Sequence, residues 1–197
     1  LKAETAPATV NPSLWRQARL NMANGLFQVT DRVYEVRGFD ISNMTILEGR
    51  RGIIVIDPLI SAETARAALD LYSSHRGKRP VTAVIYSHSH VDHYGGVRGV
   101  IEENEVRAGN VMVVAPDRFL EEVTSENVLA GAAMLRRAQF QFGATLFKGP
   151  RGQVDAGLGQ PGDQPDLPPD TGDAAAPEHE GGPLAGHPLI LPGATHR

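Results

Sequence analysis

Three imidazoles and one carboxylate fall within the run Ser87-His88-Ser89-His90-Val91-Asp92-His93. It follows directly on an apolar stretch that reads as a buried strand. Imidazole nitrogen and carboxylate oxygen are donors that a borderline cation such as zinc accepts, and two such cations held close together share a bridging hydroxide. In extended backbone, residues two apart point the same way, so His88 and His90 close on one ion from the end of the strand. Asp92 and His93 are adjacent, and a turn there directs them away from the first pair toward a second ion. Gly95 and Gly96 follow, and glycine lets the chain turn sharply around the metal before a helix begins. Four ligand-type residues at this density rarely gather without a metal. His75, standing alone, reads as an ordinary surface or core residue.

The elements that position this cluster alternate. Gly52-Ile53-Ile54-Val55-Ile56-Asp57-Pro58 is a nearly continuous apolar strand, a composition that predicts cover on both faces. Asp57 at its end is either a turn former or an acceptor that orients a ligand histidine through the nitrogen not bound to metal. The histidine cluster nearby favours the acceptor. Residues 61–72 read as a helix capped by Ser61, 81–86 as the strand that delivers the histidines, 97–106 as a helix, and 111–115 as another buried strand. This α/β alternation sets the cluster at the C-terminal end of a strand, where such sheets bind ligands. Upstream, residues 26–29, 33–36, 44–48 and 53–56 form a meander. Residues 38–43 read as a loop. Residues 13–23 read as a helix that Trp15 packs onto the body. Downstream, 118–123 and 126–142 read as helices, the second capped by Ser125, with Val128, Leu135, Ala138 and Phe142 as a core stripe.

With 197 residues, a net charge of -4 and no cysteine, the chain describes an acidic soluble protein of one domain or slightly more. Any metal is held by nitrogen and oxygen, since thiolate is absent. No apolar run spans a bilayer and no signal peptide is visible, although the chain begins at Leu1 rather than Met. A periplasmic or secreted location is favoured over the cytoplasm. The acidic balance argues against a nucleic-acid partner. Residues 1–11 form a flexible lead-in. After Gly159 the sequence turns rich in proline, glycine, alanine and acid, so 160–197 is expected to be disordered and His179, His187 and His196 to be solvated.

The run at 87–93 resembles the His-x-His-x-Asp-His motif of the metallo-β-lactamase superfamily, whose αββα sandwich carries a dinuclear zinc site. Segments 12–17, 37–45, 125–128 and 149–159 resemble the N-terminal part of its bacterial alkyl sulfatases, so the likeness covers roughly 11–159, an N-terminal portion of the α/β sandwich. The resemblance implies hydrolysis of linear alkyl sulfate esters to alcohol and sulfate. It implies one zinc on His88 and His90, another on Asp92 and His93, Asp57 behind them, and a metal-bound water as nucleophile. The family's remaining ligands, two glutamates and a histidine, lie downstream of the matching region. Its homodimerisation region has no counterpart here. The chain therefore reads as a truncated piece whose tail is unrelated sequence, such as a shifted frame. Two alternatives stand beside the sulfatase: a non-catalytic metal-binding remnant, and another hydrolase of the same fold acting on a thioester or phosphodiester.

Overall fold

A computed structural model describes residues 1 and 3–155. Gly157 to Gly159, the tail 160–197 and His179, His187 and His196 lie outside the described residues. Six strands form one sheet in sequence order: β1 Gly25–Thr30, β2 Val33–Arg37, β3 Met44–Glu48, β4 Ile53–Ile56, β5 Val81–Ile85 and β6 Met112–Val114. The first four run antiparallel, as a meander of short β-branched runs should. Two crossovers then make β4, β5 and β6 parallel. Helix α1 is Pro12–Asn21, α2 Ala62–Arg76, α3 Glu103–Arg107, α4 Phe119–Val123 and α5 Gly131–Phe142.

Pleating sorts the sheet into two faces. Tyr34, Ile46, Val55, Val84 and Val113 are successive cross-strand neighbours, and all five are buried. Ala65, Ala68 and Tyr72 of α2 belong to the same core, and the Tyr72 ring meets Tyr34 edge-on at 5.7 Å. Ser61 caps α2, its hydroxyl accepting from Thr64 N at 3.2 Å. Each fully buried Val or Ile in this row contributes about 1.5–3 kcal/mol of burial. The opposite row, through Thr45, Ile56, Ile85 and Val114, is half-buried or exposed. The double cover expected for 52–58 is thus realised on one face, because no described element seals the second.

Three expected elements differ. The helix expected over 97–106 is a 3-10 turn at Val97–Gly99 and a separate α3. The chain is pressed there against α2, and a side chain on Gly99 would stand 2.1 Å from Ala62 O. The helix expected over 126–142 begins as a π-helical turn, Thr124–Leu129, continuing α4, and breaks before α5. The Ser125 side chain caps neither; its carbonyl accepts from Ala130 N. The supposed core stripe is not core: Val128 is 70% and Leu135 62% exposed, because α5 leans on the π-helical turn rather than on the sheet.

Trp15 also plays a local part. It is buried outside the main core and donates from Nε1 to Ala3 O at 3.0 Å. That bond fastens the lead-in to α1. Arg19 donates to Glu4 O, and Thr9 Oγ1 to Pro150 O at 2.7 Å, so the lead-in is tied down at Glu4 and Thr9 as well.

Glu48 links the end of β3 to α2. Its carboxylate accepts from Arg76 Nε at 3.0 Å and from the Tyr72 hydroxyl at 2.8 Å. The Arg76 hydrogen bond is the main reason its carboxyl sits below the ordinary glutamate value. A depressed acid stabilises the fold above the unfolded-state value, and that stability is lost as pH falls through the folded one. Glu48→Gln should therefore lower the urea midpoint at pH 7, with the deficit shrinking below about pH 4.3. A deficit of the same size at pH 7 and pH 3 would exclude the ion pair as its source.

Candidate metal centre

At the end of β4 the backbone breaks from extended geometry. Asp57 takes φ 55° and Leu59 φ 62°. Aspartate tolerates the left-handed region better than a bulky residue does, and such positions cost about 1–3 kcal/mol each unless surrounding contacts hold them. Here the contacts are visible. Asp57 N continues the ladder to Ile85 O at 3.0 Å. Its Oδ1 accepts from Ser87 N at 2.8 Å, and its Oδ2 accepts from the Ser87 hydroxyl at 2.6 Å and from His93 Nδ1 at 2.9 Å. One carboxylate therefore ties the beginning of the histidine loop to its end.

Beyond β5 the loop closes through a 3-10 turn at Val91–His93. Gly96 N donates to Leu59 O at 2.8 Å. The two glycines serve a different purpose from the one expected. Gly96 has φ -82°, which any residue adopts, yet a Cβ there would lie 2.1 Å from Pro58 O, and one at Gly95 2.2 Å from Ile60 O. They are needed because two backbones touch, not because the chain bends sharply. Gly96→Ala should lower stability by about 1–3 kcal/mol in urea unfolding, and an unchanged midpoint would refute the close approach.

The structure brings His88, His90, Asp92, His93 and Asp57 into one neighbourhood. The His88 ring centroid lies 4.6 Å from that of His90 and 4.1 Å from that of His93. His93 thus does not face away from the first pair, because Asp57 holds its Nδ1. Its Nε2 lies 3.2 Å from Asp92 Oδ2. With a carboxylate at each nitrogen, His93 is pushed up to about 9, the Asp57 hydrogen bond being the larger cause. Burial is the largest single influence on both Asp57 and Asp92 and works to raise them, but the hydrogen bonds and charge of His93, joined at Asp57 by the two Ser87 bonds, together hold each below the usual carboxylate value. Burial, helped by His93 and His90, pushes His88 down, which keeps its nitrogen lone pair available.

Two residues in the loop at 38–43 carry more than its composition suggests. Asp40 is 1% exposed. It accepts from Ile41 N at 2.6 Å, Ile60 N at 3.0 Å and the Thr64 hydroxyl at 3.1 Å. Its burial raises its carboxyl despite these bonds. Ser42 donates its hydroxyl to the Asp92 carbonyl. The only sequence signal was an aspartate flanked by Phe39 and Ile41, apolar neighbours that a solvated loop has no need of.

The donor chemistry suits zinc: neutral imidazole, ionised carboxylate, and a histidine whose far nitrogen is held by an acceptor. Among the described residues, however, no three such groups converge tightly enough to enclose an ion. The cluster gathers candidate ligands without forming a closed cage among the described residues. Asp57→Asn should weaken zinc binding about 10- to 100-fold, read by chelator competition. An unaltered affinity would remove Asp57 from the site.

The model of the metallo-beta-lactamase superfamily matches residues 37–196. A linear primary-alkylsulfatase from Pseudomonas sp. is 60% identical over 158 residues, covering 80% of this chain and 23% of that protein. The alkyl/aryl-sulfatase BDS1 of Saccharomyces cerevisiae is 56% identical over 160 residues, covering 81% of this chain and 25% of that protein. The solved structure of a stereoselective inverting sec-alkylsulfatase, Pisa1 from Pseudomonas sp., superposes with a TM-score of 0.74 at 57% identity, over 79% of this chain and 25% of that one. The chain spans about a quarter of the length of the relatives it matches.

Proposed function

The chain belongs to the metallo-beta-lactamase superfamily, and from that premise we propose that it serves zinc-dependent hydrolysis of alkyl sulfate esters to alcohol and sulfate. The observation that carries the reading is a coincidence of two facts. The chain is 56–60% identical to alkylsulfatases across its length of overlap, and the His88–His93 cluster folds at the C-terminal ends of β4 and β5.

In this reading His88 and His90 hold one zinc, and Asp92 and His93 the other. Bound there, zinc would supply a water of lowered pKa as nucleophile and offset the charge of the sulfate group. The chain's own residues prepare for this. Asp57 accepts from His93 Nδ1, so that once the second proton leaves, the Nε2 lone pair faces Asp92. His88 resists protonation through burial. Ser42 fixes the Asp92 backbone, and Asp40 fixes the turn at Ile60. Zinc takes four ligands, so two donors per ion leave positions for groups other than these four.

The test is sulfate release from octyl sulfate by the purified, zinc-loaded chain. Zinc-dependent turnover is expected, and its loss in His88→Ala. A folded, zinc-loaded chain without turnover would overturn the hydrolase reading and leave a metal-binding remnant.

A further inference from the structure

The π-helical turn Thr124–Leu129 lies well away from the histidine loop in sequence, yet two of its consecutive side chains close on a single residue of that loop. Glu126 Oε2 accepts from the Ser89 hydroxyl at 2.8 Å. Asn127 Nδ2 donates to the Ser89 carbonyl at 3.3 Å, and it reaches the Tyr94 hydroxyl at 3.4 Å and Val123 O at 3.1 Å. Ser89 is therefore held at both its side chain and its backbone. It is also the residue between His88 and His90.

Geometry explains why an irregular turn is used. Successive residues of an α-helix diverge by about 100° around the axis, so adjacent side chains do not normally share one target. A π-helical turn, closed here by Ala130 N to Ser125 O at 2.9 Å, inserts an extra residue, and such insertions recur at functional sites. We infer that Glu126 and Asn127 are positioning residues that clamp Ser89 and so set the spacing and orientation of His88 and His90. Glu126 Oε2 also lies 3.7 Å from His90 Nε2, so its charge adds to the pull on any cation held there. The inference rests on the reading of His88 and His90 as metal ligands and extends it to a segment outside the histidine motif.

The test uses the full chain with single and double substitutions. Glu126→Ala and Ser89→Ala should each weaken zinc binding about tenfold in chelator competition, and each should shift the visible absorption of the Co2+-loaded protein. The double variant should lose no more than Glu126→Ala alone, since Ser89→Ala removes a contact that is already gone. Glu126→Gln keeps an oxygen that accepts from Ser89 and should stay within about threefold of the parent chain. In the metal-free chain, the imidazole NMR signals of His88 and His90 should move in Glu126→Ala while those of His75 stay. Unmoved signals, or a zinc affinity and Co2+ spectrum unchanged in Glu126→Ala, would overturn the clamp. The NMR arm decides even where the parent chain binds no zinc. Intact clamp effects without sulfate release would sink the hydrolase reading alone.

Discussion

Everything at the candidate site depends on where the Asp57 carboxylate is held. It is the point at which the parallel sheet stops being only a scaffold. The β4–β5 ladder runs on through Asp57 N to Ile85 O, and then the left-handed backbone at Asp57 turns the side chain across to the neighbouring strand end. The cost of that conformation is offset by three hydrogen bonds to one carboxylate, two from Ser87 and one from His93. With those bonds in place, the loop from Ser87 to His93 has both ends fixed, and its intervening side chains crowd into a small volume.

Two further constraints act on the same loop from outside. On one side the glycines let it lie directly against the Pro58–Ala62 backbone, so the end of β4, the start of α2 and the histidine loop form one packed unit. Asp40 reinforces that unit from the meander, bonding to Ile60 N and to Thr64 near the start of α2. On the other side the π-helical turn holds Ser89. The loop is thus gripped by elements from both the antiparallel and the parallel halves of the sheet. Such over-determination is what permits a short, ligand-rich segment to keep a defined shape.

The sequence made much of this legible, for reasons that differ by element. Strands β2 to β5 announce themselves because their alternating or continuous apolar residues are the ones the sheet buries, and Ser61 marks the start of α2 by its capping chemistry. The five expected site residues fall together because they lie at neighbouring strand ends. Asp40, Ser42, Glu126 and Asn127 were not legible as parts of the site, since their partners are 20 to 50 residues away along the chain and no local period encodes a long-range hydrogen bond. The stripe expected over 126–142 misled for the opposite reason. Helical spacing of Val128 and Leu135 reports an apolar face, but not whether a described element covers it.

The charge pattern explains why a cation is central to the proposed chemistry. Asp57 and Asp92 are both held ionised, and between them they draw a proton onto His93 strongly enough to push it up to about 9. The same field that attracts a proton to His93 attracts a metal cation. Glu126, 3.7 Å from His90, adds another acid to the neighbourhood. On its own this set of acids repels an anion such as a sulfate ester. Divalent cations held among the histidines would reverse the sign of the local potential and become its largest charges. In the proposed chemistry an anionic substrate would therefore be received better once the site is loaded, so that metal binding favours substrate binding through electrostatics.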